Sequence, residues 1–164
     1  MFGKKKPALA PFVMQILTTE YLIEGTAEGD TQLYFPTGRG DWSPITLTAV
    51  QIKVLSRTDL PPRSVSQFEI SGPGVVAMIP RADASQRAGY ESWKLYNQSR
   101  SGVFHIGPYL IRGQMMFLRE DRIDEVTPMV DVQIMHQSPE AAMGELSAPF
   151  ILVNTGWMYG YEPA

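Results

Sequence analysis

The stretch "YLIRG", Tyr109 to Gly113, repeats with one change the "YLIEG" of Tyr21 to Gly25, 88 positions earlier. Tyr, Ile and Gly alternate with Leu and Glu or Arg, a period of two that puts Tyr21, Ile23 and Gly25, or Tyr109, Ile111 and Gly113, on one strand face. That face is expected to meet a core, and Glu24 and Arg112 point away from it. Two more blocks follow in the same order. "LTAVQI" (Leu47 to Ile52) matches "MVDVQI" (Met129 to Ile134), each after a Ser/Thr-Pro pair, Ser43-Pro44 and Thr127-Pro128; the separation is now 82. Kept constant, that separation sets Phe68 on Phe150, Ile70 on Leu152, Gly74 on Gly156 and Ile79 on Tyr161. Three blocks in one order point to an internal duplication. The drop in separation puts six extra residues of the first half into the Gly-, Thr- and Asp-rich "TAEGDTQLYFPTGRGDWSP", where a loop absorbs them cheaply.

Working outward from these blocks, "AVQIKVL" alternates Val50, Ile52 and Val54 against Gln51 and Lys53, a half-buried strand. Upstream the apolar positions are Ile45 and Leu47, so the parity flips near Ala49, the mark of a β-bulge. Phe68 and Ile70 run into "SGPG", and Phe150 and Leu152 into "NTG", each read as one side of a hairpin. With short "QLYF" and "MMFL" strands, each half has about five strands, the number that builds a small barrel of the SH3 or Sm kind. Helix is scarce. "DASQRAGYESWKLYNQ" has Asp83 and Gln86 at capping-box spacing, and "SPEAAMGEL" offers Ser138 as N-cap with Pro139 behind it. The expected organisation is a tail over 1–12, a first β repeat over 13–80, a connector over 81–102 and a second repeat over 103–164. The whole is all-β, two tandem barrel-like units packed together.

The blocks also resemble a bacterial family of small β-rich domains of unknown function, with the pattern Y-x-I-x-G … PLTDV … FLLVN. The second half carries the likeness through "YLIRG", "FLREDRIDE", "TPMVDVQI" and "PFILVN"; the first half departs from it at Ala49 and in "QFEISGPG". The resemblance implies a β-rich fold and brings no activity.

The bulk properties exclude several functions. The 164 residues carry a formal charge of -3 and a pI near 5.4, against the basic excess of a protein that coats nucleic acid. No cysteine is present, which removes disulfides and thiolate chemistry and fits a cytoplasmic setting. Lys4 to Lys6 and the apolar run behind them imitate a secretory signal, but Pro11 and Gln15 interrupt the run and it passes straight into the first repeat. No segment reaches the roughly 18 apolar residues of a membrane-spanning helix.

Candidate chemistry is sparse. His105 and His136 fall on strand positions and read as structural, with no metal-ligand spacing between them. Arg119 and Arg122 interleave with Glu120, Asp121, Asp124 and Glu125 in "REDRIDE", so these carboxylates read as a solvated, ion-paired loop and no metal is expected. "RGD" at Arg39 to Asp41 reads as a turn, and "SGPGVV" lacks the lysine and helix of a phosphate loop. No nucleophile, base and orienting group assemble from spacing, so no enzyme and no cofactor are expected. The aromatic run Trp157, Tyr159 and Tyr161, read as one strand face, is the specialised feature: it fills the core or covers the seam between halves, anchors a protein interface, or stacks bases with Arg112, Arg119 and Arg122. The favoured reading is a non-enzymatic binding or assembly module with a protein partner or itself; a nucleic-acid or nucleotide-binding role is the alternative.

Overall fold

The computed structural model describes residues 3, 10–27, 45–81, 96–118 and 125–164. They form ten strands: β1 (Phe12–Leu17), β2 (Tyr21–Ala27), β3 (Ile45–Val54), β4 (Arg63–Ile70), β5 (Ala77–Arg81), β6 (Gln98–Ile106), β7 (Tyr109–Phe117), β8 (Val126–His136), β9 (Leu146–Asn154) and β10 (Met158–Pro163). All are neighbours in one antiparallel sheet, ordered β10-β6-β7-β8-β9-β5-β1-β2-β3-β4. No α-helix occurs among the described residues. The proposed helix at "SPEAAMGEL" is a turn in which the Ala141 amide donates to the Ser138 carbonyl; the stretch is too short to repay helix nucleation. The "QLYF" strand and most of "DASQRAGYESWKLYNQ" lie outside the described residues. "MMFL" is no separate strand, because β7 runs unbroken from Tyr109 to Phe117. The "RTDLPPRSVS" stretch enters β4 at Arg63, and the second half begins with β6 at Gln98, inside the stretch assigned to the connector.

The two halves have the same strand order. Within the sheet the first half runs β5-β1-β2-β3-β4 and the second β10-β6-β7-β8-β9, and β2 and β7 occupy the same place. The bulge expected at Ala49 is present: Ala49 has φ 50 and Asp131, 82 positions on, has φ 53. Opposite them the pairing shifts register between Glu24 and Thr26 and between Arg112 and Gln114. A residue beside the bulge must be small. A Cβ on Gly25 would lie 3.0 Å from Leu47 Cβ, and one on Gly113 would lie 2.8 Å from Val132 Cγ1.

The separation does not stay at 82. Ile45 pairs with Ile70 while Thr127 pairs with Val153, so β4 matches β9 with a separation of 83. The cause is the connection before the strand, 137–145 against 55–62, one residue longer. Leu17 pairs with Ala77 and Met14 with Pro80, as His105 pairs with Gly160 and Gly102 with Pro163. The structural counterparts of Val75, Val76 and Ala77 are therefore Met158, Tyr159 and Gly160, and Phe68 matches Ile151. A slip of one residue reverses every assignment of face.

The sheet does not close into a barrel. In each half the fourth strand would have to curl back to the fifth, but β9 pairs instead with β5 of the other half, Ala77 with Val153 and Met78 with Leu152. The Leu152 to Asn154 end of its outer edge is used in joining the halves. Along these junction strands alternate residues enter different cores. Met78, Phe150 and Leu152 complete a core with Met14, Ile16, Ile23, Leu47 and Val50. Ala77, Ile79, Ile151 and Val153 complete a second one with Phe104, Ile106, Tyr109, Ile111 and Ile134. Adjacent strand residues point to opposite faces, so the two cores lie on opposite faces of one continuous sheet.

Candidate functional site

The aromatic run does not form a stripe. Trp157 sits in a 3-10 turn (Thr155–Trp157) before β10, and its indole N–H donates to the Pro73 carbonyl of the first half at 3.3 Å. Met158 pairs with Ile106 and Gly160 with His105, so Tyr159 is an extra, bulged residue. It turns outward, 65% exposed, and its hydroxyl accepts from the Gln137 amide. Tyr161 turns inward and stacks on Phe104 with ring centroids 4.6 Å apart. The period-two reading failed because a bulge separates the residues it grouped. Beside Tyr159 the His105 ring meets it edge-on, and His105 Nε2 lies 2.6 Å from the Glu162 carboxylate.

Arg112 lies opposite Val103 of β6, which lies opposite Glu162 of β10, two strands from the aromatics. It lines a shallow depression of about 410 Å³ with Asp131, Gln133 and Ser147, on the bulged part of β7, β8 and β9. Arg119 and Arg122 lie outside the described residues, as do Glu120, Asp121, Asp124 and the "RGD". Among the described residues no three His, Asp or Glu side chains gather as a metal site, and no helix is long and apolar enough to cross a membrane.

A cleft of about 510 Å³ opens at the seam, lined by Glu20, Val54 and Ser56 of one half and Pro108, His136 and Ser138 of the other, with Glu140 at its side. These are equivalent positions, so both halves present the same corner to it. Backbone bonds repeat accordingly: Leu55 donates to Glu20 at 2.9 Å and Gln137 to Pro108 at 2.8 Å. The buried Tyr109 hydroxyl donates across the seam to the Thr18 carbonyl, and burial pushes its ionisation far above the ordinary tyrosine value. His136 Nδ1 accepts from the Ser138 amide at 2.9 Å, which places the proton of the neutral ring on Nε2. The ring is then a donor, and among the described residues no hydroxyl is hydrogen-bonded to it. The cleft offers carboxylate, hydroxyl and imidazole groups to bind with.

The hairpins read from the sequence do not form, since β4 does not pair with β5 nor β9 with β10; what that reading missed is that β4 and β10 are the ends of the sheet among the described residues. The inner strand β9 reads "LSAPFILVN" and its counterpart β4 reads "RSVSQFEI". That contrast, apolar on both faces against apolar on one, was the available signal of inner and outer position. No protein-family model matches this chain, and no curated protein or solved structure is significantly similar to it.

Proposed function

We propose that the chain is a non-enzymatic binding or assembly module, two duplicated barrel-like units fused edge to edge, that acts through protein–protein contacts at the free edges of its sheet. One observation carries the reading: the β5–β9 junction inside the chain uses the same two kinds of edge that β10 and β4 leave open at the ends among the described residues. An open edge offers a row of unpaired N–H and C=O groups, and strand addition is a general way for one chain to bind another. The likeness of strand order, bulge and turn in the two halves supports the duplication. The depression that Arg112 lines includes none of Trp157, Tyr159 and Tyr161, so it lends the nucleic-acid alternative no support.

The test is a photo-crosslinking amino acid placed at Glu69 on β4, at Tyr159 on β10, and as a control at the exposed Met135, in the producing cell. Protein adducts from the two edge positions and none from Met135 are expected. Adducts removed by nuclease, or no adduct from either edge, would overturn the reading.

A further inference from the structure

We infer that the partner of these edges is a second copy of the chain, joined head to tail by pairing β4 of one copy with β10 of the next. This rests on the edge reading above and adds the occupant. The template is internal. At the β5–β9 junction Ala77 pairs with Val153 and Met78 with Leu152, the Asn154 amide donates to the Val76 carbonyl at 2.9 Å, and the Asn154 side chain donates to the Val75 carbonyl at 3.1 Å. Moved to the ends by structural equivalence, the same contacts pair Gly160 with Ile70 and Tyr161 with Glu69. They also bring Ser71 to the carbonyls of Met158 and Tyr159.

Three details of the ends fit this occupant. Val75 and Val76 are wholly buried in the inner junction, whereas their counterparts are the partly exposed Met158 and Tyr159, 65% exposed, which leaves apolar surface at the β10 edge where the inner one is covered. Asn154 caps its 3-10 turn through its side chain, but Ser71 makes no such bond, so its hydroxyl is not engaged in capping. Pro163 does not block the edge, because its counterpart Pro80 lies beyond the Ala77–Val153 and Met78–Leu152 pairs that form the inner junction. The ends are also more polar than the inner junction. Gln67 and Glu69 replace Phe150 and Leu152, and Gly160 and Glu162 replace Ala77 and Ile79. A more polar contact makes the association between chains reversible, while the junction within the chain is permanent. A contact between unlike edges leaves one of each free, so it extends into a ring or a filament.

The test uses the purified full chain and two variants. Glu69→Pro acts on β4: the N–H of Asn154 faces β5, so by the period of two that of Leu152 does too, and Glu69 is its counterpart. Tyr159→Asp acts on β10 without touching the ladder. Sedimentation of the wild type, raised to about 1 mM, the range in which small interfaces associate, is expected to give masses at least twofold above 18.3 kDa. Each variant alone should remain monomeric with an unchanged melting profile. Mixed in equal amounts they should form dimers and nothing larger, since one intact β10 then meets one intact β4. A monomeric wild type overturns the self-association while leaving edge crosslinks to another protein intact. A wild type that assembles alongside a mixture that does not would place the contact elsewhere and overturn it equally. Should Glu69→Pro lower the melt, Tyr159→Asp mixed with wild type decides: it should cap growing assemblies and lower their mean mass, and an unchanged mass refutes the head-to-tail contact.

Discussion

Replacing Ala49 by glycine is expected to stabilise this protein. Ala49 holds φ 50, in the left-handed region where a Cβ crowds the backbone, and it is exposed, so its methyl group contributes no packing. An L-residue pays about 1–2 kcal/mol there. Glycine returns about 0.4–1 kcal/mol of this as extra freedom of the unfolded chain. The net gain is about 0.5–1 kcal/mol, which for a chain of this length is a rise of about 1–4 °C in the melting midpoint. Asp131 occupies the same bulge at φ 53, but aspartate tolerates this conformation, so Asp131→Gly should gain less and Asp131→Ala should destabilise. The assay is urea denaturation followed by circular dichroism, comparing midpoints at constant slope. If Ala49→Gly lowers the midpoint, or if Asp131→Ala leaves it unmoved, backbone strain at the bulge is not what these residues carry.

Gly113→Ala should cost about 1–3 kcal/mol, because the new Cβ meets Val132 Cγ1 at 2.8 Å and the Val130 carbonyl oxygen at 3.0 Å, and the latter is fixed by the ladder; denaturant melts measure it. Asn154→Ala, losing both the cap to Gly156 and the buried bond to Val75, should cost about 2–3 kcal/mol, and Asn154→Ser should recover part of that in the same melts. Tyr109 stays neutral in the fold at pH values where the unfolded chain ionises, near 10 and above, so the unfolded state binds fewer protons and stability falls as pH rises there. Tyr109→Phe should lose about 1 kcal/mol at neutral pH and show a shallower alkaline decline by about 1.4 kcal/mol per pH unit, read from melts at successive pH. Fragments 1–82 and 96–164 should each fail to give a cooperative melt, since one core lacks Phe150 and Leu152 and the other lacks Val76, Ala77 and Ile79.

What the sequence determined was local. Period-two alternation marked the β2, β3, β7 and β8 strands, the parity flip located the bulge at Ala49, and repeated blocks implied a repeated strand order, because all three depend on residues a few positions apart. The candidate site was legible only as a set of residue types. Trp157, Tyr159 and Tyr161 were singled out by type, but their directions depend on a bulge at Tyr159 that exists only where β10 pairs with β6. One extra residue in 137–145 moved the register of β9 and reversed its faces, which no motif in either strand records. Closure was decided the same way. β9 has two edges, and its outer one could meet β10 of its own half or β5 of the other. Only the tertiary structure chose β5, where burial of Met78, Phe150 and Leu152 in one core and Ile79, Ile151 and Val153 in the other covers both faces of the junction at once.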